Sequence, residues 1–149
     1  MKILVQRSKN ASVSIEGNEV GSIDFGLVLL VGFTDTDTNI IIEKMINKVI
    51  NLRIFNDSEG VMNRSILDVN GSILSISQFT LYADTRKGRR PSYLKALRGS
   101  ESTVLYDEFN RLLKEENIKV STGVFGADME VKLINDGPVT IILDSEDYK

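Results

Sequence analysis

Along much of this chain apolar and polar residues alternate with the two-residue period of strands, and two longer stretches switch to helical spacing. Residues 2–6 read as a first strand and residues 11–15 as a second, pairing antiparallel, with Gly17-Asn18 as turn residues after them. Residues 20–23 extend the sheet. Leu27-Val28-Leu29-Leu30-Val31 is an unbroken apolar run, which predicts a strand buried on both faces. Asp35-Thr36-Asp37-Thr38 offers N-caps for a helix over 39–52, in which Ile42, Met45, Ile46, Val49 and Ile50 form one core-facing stripe. Ile54-Phe55 and residues 66–69 read as short strands, and Asn70-Gly71 as a hairpin turn into a strand over 72–79. Pro91 opens a helical turn through Leu97, broken by Gly99-Ser100.

A second amphipathic helix spans 102–116, with Val104, Leu105, Phe109, Leu112 and Leu113 on one side and Asn117 as its stop. Residues 118–120, 124–125, 129–134 and 139–143 are further strands, and the polar tail 144–149 reads as loose. Strands outnumber helices and short turns join them. The pattern predicts a mixed α/β single domain over residues 1–149, in largely antiparallel β-sheet layers with two main helices covering one side, a β/β/α arrangement.

Composition narrows the chemistry. The 149 residues suffice to bury a core without metal or disulfide support, and no apolar stretch approaches the ~18 residues of a membrane span. A cytoplasmic protein is expected. The absence of Cys and His excludes thiol nucleophiles, Ser-His dyads and the usual zinc sites. A hydrolase built from this chain must use Thr, Ser or Lys, a carboxylate-held cation, backbone dipoles, or a group on its substrate. The net charge of −3 argues against nonspecific coating of nucleic acid, yet Arg86-Lys87-Gly88-Arg89-Arg90 places four cations in five residues.

Two segments carry candidate chemistry. Ser77-Gln78-Phe79-Thr80-Leu81 closes a half-buried strand with hydroxyl, amide, phenyl and hydroxyl groups where the chain leaves the sheet. Backbone amides at such a strand end, here those of Phe79 and Thr80, can stabilise a developing oxyanion, although taken alone the segment reads first as a sheet edge capped by polar residues. In Asn135-Asp136-Gly137-Pro138-Val139-Thr140, the proline lacks a ladder N–H and disfavours a simple hairpin. A cis Gly137-Pro138 unit is the alternative, directing backbone carbonyls together with no side chain from Gly137 in the way.

At these two segments the chain resembles the D-aminoacyl-tRNA deacylase family of the bacterial and eukaryotic type. The family's Ser-Gln-Phe-Thr-Leu motif is complete at residues 77–81 and its Asn-x-Gly-Pro-Val-Thr motif at residues 135–140. Similarity extends to Gln6-Arg7, Ala11-Ser12-Val13, Arg53-Ile54-Phe55, Met62-Asn63, Ala83-Asp84-Thr85, Arg90-Pro91-Ser92 and residues 123–129, with Ser8 where members often carry Val. The resemblance implies hydrolysis of the ester joining a D-amino acid, or glycine, to the terminal adenosine of tRNA. It also implies a homodimer with active sites at the interface, no cofactor and no metal, and neither DNA nor membrane as partner. Ser77, Gln78, Phe79 and Thr80 are then the catalytic segment, and Gly137 and Pro138 the chiral filter entering from the partner. Arg7, Met129, Arg86, Lys87, Arg89 and Arg90 are candidates for pocket or tRNA contacts. Attack by Thr80 and assistance by the RNA's own hydroxyl both remain open, as do a small-molecule esterase using Thr80 and a noncatalytic RNA-binding module.

Overall fold

In the computed structural model, which describes residues 1–149, the alternating stretches at the start of the chain form two strands. β1 (Lys2–Ile15) and β2 (Asn18–Gly32) make one long antiparallel hairpin. The expected separate strands 2–6 and 11–15 are continuous. Backbone pairing runs on through polar Ser8 and Lys9, opposite Gly26 and Phe25, where the side-chain pattern breaks because the ribbon bends. Asn10 (φ 46°) and Gly26 (φ 142°) mark the bend. Residues 20–23 and 27–31 are likewise one strand.

The helix α1 (Asn39–Asn51) follows, then the small ribbon of β3 (Phe55–Asn56) and β4 (Met62–Arg64), then β5 (Ser72–Ser77). Residues 66–69 are a turn, not a strand, and Asn70-Gly71 does not close a hairpin. The Gly71 amide donates to Ile66 O at 3.1 Å, and the chain enters β5 parallel to β2. After a 3-10 helix at Phe79–Tyr82 and the basic loop comes α2 (Gly99–Glu115), in which Gly99-Ser100 begin the helix instead of breaking the chain before it. Residues 91–97 form no helical segment. Asn117 (φ 58°) ends the α2 region as predicted. β6 (Val120–Thr122) and β7 (Glu130–Asp144) complete the fold, and residues 124–125 lie in the turn between them. The expected strands 129–134 and 139–143 are joined in β7. The tail is ordered: Ser145–Tyr148 form a 3-10 turn, and the Met1 amino group donates to Ser145 Oγ.

One five-stranded sheet results, in the order β6-β5-β2-β1-β7, with β1 antiparallel to both neighbours and β5 parallel to both of its own. Its two faces carry different cores. Ile3, Val5, Leu27, Leu29 and Val31 pack beneath α1 and α2, against Ile42, Met45, Val49, Phe109 and Leu113. All five stripe residues of α1 are buried as predicted, whereas Val104 of α2 is exposed. Beyond the bend the hairpin supplies Ala11, Val13 and Ile23 to a second cluster with Val28, Leu74 and Ile76. The far half of the hairpin therefore curls over the face opposite the helices, where Ser121 Oγ of β6 donates to Ser22 O at 3.0 Å. The predicted second layer is this curl of the same strands. No helix is long and apolar enough to cross a membrane.

The curl depends on Gly26. A Cβ built there stands 1.8 Å from Ser72 O, and the left-handed backbone adds its own penalty for any other residue. Gly26→Ala is expected to lose about 3 kcal/mol, combining roughly 1–2 kcal/mol of backbone strain with overpacking of roughly 1–3 kcal/mol. Urea denaturation of the two proteins measures it; an unchanged midpoint at equal slope contradicts this account of the bend.

Candidate active site

Leaving β5, the chain turns sharply because Gln78 N still pairs with Val31 O at 2.7 Å while the next four residues tighten into the 3-10 helix. Within that turn Leu81 N donates to Gln78 O and Ala83 N to Thr80 O. The amides of Phe79 and Thr80 precede the first of these bonds and have no acceptor within the protomer. Two backbone donors are thereby left free at the strand end, and free amides of this kind can stabilise an oxyanion. Gln78 Nε2 donates to Thr80 Oγ1, so the threonine hydroxyl faces an amide donor and no carboxylate, lysine or histidine among its hydrogen-bond partners.

Beside this turn lies a cavity of about 290 Å³ lined by Ser77, Gln78, Phe79 and Met129 among the predicted residues. Val31, Gly32 and Phe33 from the end of β2, Ser102 from α2, and Phe125, Gly126, Ala127 and Asp128 from the β6–β7 turn complete it. That turn is the part the motif reading missed as pocket wall. Its signal was Gly126-Ala127-Asp128, a turn sequence between two strands, with Ala127 N donating to Val124 O at 3.2 Å. Ring packing of Phe79 on Tyr93, centroids 5.0 Å apart and 70° between planes, holds the phenyl group at the mouth, where it is half exposed.

The second motif sits on the opposite edge of the sheet. Gln6 pairs with Thr140 and Ser8 with Asn135, so Arg7 alone opposes residues 136–139, which bulge off edge strand β7. The motif's polar residues build the bulge: Asn135 Oδ1 accepts from Val139 N and Asn135 Nδ2 donates to Thr140 Oγ1, both at 2.8 Å. The Gly137–Pro138 bond is cis, as the sequence suggested. Arg7 is buried beneath it, donating from Nε to Asp136 O at 2.8 Å and from Nη1 to Ile54 O at 2.7 Å. Arg7 is therefore a buried support of the corner. At Gly137 (φ 137°) a Cβ would come within 2.8 Å of Val139 Cγ2 and 3.1 Å of Arg7 Nη2.

The two motifs do not meet within one protomer. Ser77 aligns through Val31 and Ile3 with Leu143. The Arg7 corner thus lies three strands away and four residues along, roughly 14 Å across and roughly 13 Å down the sheet. Nor does the basic loop enter the cavity. Asp84 and Ser92 exchange two backbone bonds of 2.8 and 2.9 Å at its base, and Arg86 is committed to Asp84 through Nε and Nη2. The Arg86 guanidinium holds the Asp84 carboxyl well below the usual carboxylate range. Lys87, Arg89 and Arg90 stand exposed with no ion pair.

The whole chain can be set beside known proteins on this geometry. The family described as D-Tyr-tRNA(Tyr) deacylase matches over residues 4–144, spanning both motifs. This chain belongs to that family. It is 54% identical to a D-aminoacyl-tRNA deacylase of Brevibacillus brevis, over 97% of this chain and all of that one. It is 57% identical to a D-aminoacyl-tRNA deacylase of Clostridium botulinum, over 97% of each. Among solved structures it is similar to one described as c-Myc DNA Unwinding Element Binding Protein, with a TM-score of 0.91 and 36% identity over 97% of this chain and 98% of that one. The fold is shared as well with a probable eukaryotic D-amino acid tRNA deacylase, at a TM-score of 0.80 and 18% identity over 95% and 97% of the two chains.

For this member of the deacylase family, the role of Arg7 as support has a measurable consequence. Arg7→Ala leaves the carbonyls of Asp136 and Ile54 without their donors, and each buried unsatisfied group costs about 1–3 kcal/mol. The expected result is a loss of about 2 kcal/mol or more in denaturation, with faster amide exchange at Val139. Slow Val139 exchange in a protein of wild-type stability contradicts it.

Proposed function

We propose that the protein hydrolyses the ester between a D-amino acid and the 3′-terminal adenosine of tRNA, returning free tRNA and D-amino acid to the cytoplasm. The observation that carries this reading is the pair of free amides at Phe79 and Thr80 beside the cavity, in a chain with neither His nor Cys. An activated ester with an alcohol leaving group needs its oxyanion stabilised more than it needs a strong base. The attacking oxygen comes from water. The neighbouring ribose hydroxyl of the substrate can relay the proton, because Thr80 Oγ1 accepts from Gln78 Nε2 and has no base to take its own.

The separation of the motifs supports a homodimer in which the Gly137-Pro138 corner of one protomer closes the cavity lined by Ser77, Gln78 and Phe79 of the other. A two-fold axis makes such an exchange reciprocal and completes two sites at once. The apolar side chains Phe79, Ile134 and Ile142, all exposed in the protomer, are the surface this pairing covers. At the closed site the corner is a wall of backbone, fixed from below by Arg7 and Asn135. It stands where an L side chain would point and leaves the D side chain unconstrained. Glycine, with no side chain to exclude, is then also accepted as glycyl-tRNA. Met129 lines the amino-acid side of the cavity, and Lys87, Arg89 and Arg90 face the tRNA.

Release of amino acid from D-aminoacyl-tRNA, its L counterpart and a free D-amino acid ester tests the substrate. Hydrolysis of the first alone is expected; equal rates on the free ester overturn the tRNA reading. Thr80→Ala is expected to keep deacylation within about tenfold of wild type, whereas loss of an oxyanion donor costs about 100- to 1000-fold. An inactive, folded Thr80→Ala establishes a nucleophilic threonine instead.

Exchange of segments across the dimer has its own assay. Mixtures of two inactive variants, Gln78→Ala and Gly137→Ala, unfolded and refolded together, are expected to regain about a quarter of wild-type activity, since each mixed dimer contains one unaltered site. No recovery in a mixture that sedimentation shows to be dimeric, at twice 16.6 kDa, contradicts the shared site.

A further inference from the structure

A second groove, of about 240 Å³, opens on the other side of the Thr80 turn, and none of the motifs accounts for it. Its walls are residues 81–86, running directly on from Thr80, together with Lys2 from the start of β1 and Lys95 from the segment before α2. Three side chains give it a definite character. Lys95 has no carboxylate within ion-pair distance, and its backbone is fixed where β2 ends by Thr34 Oγ1 donating to Lys95 O at 2.7 Å. Lys2 lies over the Tyr82 ring at 5.3 Å and reaches Asp144 only at 3.5 Å, so it is loosely held and turned toward the groove. Tyr82 keeps its proton throughout the working range, because burial, and then the charges of Asp37, Asp144 and Glu146, raise its pKa. Its hydroxyl has no partner in the protomer and remains a free donor.

The acid in the groove is already neutralised: Asp84 is spent on Arg86. Around the groove the charge is segregated. Residues 81–100 carry six basic side chains and one acid, a net +5, while the rest of the chain carries −8. A pair of ammonium groups and a phenol donor around a small polar cleft match a singly charged phosphodiester, which offers acceptor oxygens and needs no bidentate fork.

We propose that this groove, through Lys2, Lys95 and Tyr82, binds a backbone phosphate of the single-stranded RNA end whose terminal nucleoside carries the ester. The assignment rests on the tRNA reading above, and it follows from position: successive residues of one turn line the two sites, Gln78 and Phe79 the catalytic cavity and Leu81 and Tyr82 the groove. A nucleoside held in the cavity has its neighbouring phosphate about one nucleotide away, on the groove side of Thr80. The groove then supplies register, holding the strand so that the ester carbonyl meets the free amides.

The test compares two substrates, full-length D-aminoacyl-tRNA and the D-aminoacyl ester of adenosine, which has no phosphate. For Lys95→Gln and Lys2→Gln, the ratio of kcat/KM on tRNA to kcat/KM on the adenosine ester is expected to fall about tenfold, mainly through KM. Each variant is also expected to flatten the dependence of log(kcat/KM) on log salt by about 0.7, the value for one phosphate of a single strand no longer neutralised. Tyr82→Phe is expected to lower the same ratio with the salt slope intact. Inorganic phosphate serves as the control for a general anion site, and inhibition at low millimolar concentration that is equal on both substrates overturns the proposal. So does an unchanged ratio with an unchanged salt slope in a folded Lys95→Gln. If the wild type cleaves neither substrate, it is the deacylase reading that fails; a groove that fails alone leaves tRNA cleavage intact and the variants indistinguishable from wild type.

Discussion

Pairing of β1 on both of its edges is the constraint on which the rest of the molecule depends. Between Lys2 and Ser14 this strand pairs with β2 along one edge and with β7 along the other, the β7 ladder stepping aside only at Arg7 and at Asn10-Ala11. Through β2 it also sets the position of β5. The strand end at Ser77 and the corner at Gly137 are therefore fixed to the same rigid frame, on opposite sides of its centre. A frame of this kind has little freedom to bring its own two motifs together, since closing the gap would break the ladder between them. It is well suited to presenting each motif to a second copy, because both stand at fixed positions before association. Little ordering cost is then left to the binding step.

Chemistry without ionisable catalytic side chains needs donors that do not move. The amides of Phe79 and Thr80 are covalently part of a turn anchored at both ends, by Gln78 N on Val31 O and Ala83 N on Thr80 O. Side-chain donors in the same place would have to be ordered by packing. The apolar walls, with Val31, Phe33, Ile76 and Val131 around the cavity, keep bulk water from screening those dipoles. The same logic governs the opposite motif. Asn135 uses both ends of its amide to bridge the bulge, and Arg7 fills the space beneath it. The polar residues of both motifs act largely by holding backbone in place, which explains why side-chain chemistry alone makes them look inert.

The two long helices and the motif positions were legible in the sequence, and strand continuity was not. The α1 stripe and the doubly buried run at residues 27–31 follow from side-chain periodicity, because in each the side chains decide the packing. At Ser8 to Asn10 and Phe25-Gly26 the periodicity lapses while the strands run on, and at Asp136 to Pro138 a bulge interrupts both pattern and pairing within β7, so one strand reads as two. Asn70-Gly71 shows the complementary failure. Asn70 does adopt the left-handed conformation of a turn (φ 56°), but the strand that follows pairs in parallel with β2, a partner no local signal names. For the candidate site, the two motifs marked the strand end at Ser77 to Thr80 and the cis corner at Gly137-Pro138. The walls contributed by residues 125–128, Lys2 and Lys95 come from distant parts of the chain, and proximity created by tertiary folding leaves no trace in local sequence.

The charge distribution gives the fold an orientation as well as a site. The rest of the chain carries a net −8, whereas residues 81–100 form one cationic segment whose base is locked by the Asp84–Ser92 bridge. At physiological ionic strength the screening length is about 8 Å, so an approaching RNA feels the local sign and not the net charge of −3. On the proposed reading, attraction confined to one segment turns the nucleic acid so that its strand meets the Thr80 turn. It also limits how tightly the product is held: a basic surface large enough to grip a whole tRNA would retain the deacylated molecule after reaction. Weak overall attraction with a local positive patch lets a protein of this size select the end of a large substrate and release it. The acidic composition that argues against a general nucleic-acid binder is, on this account, a requirement for turnover on the free end of one.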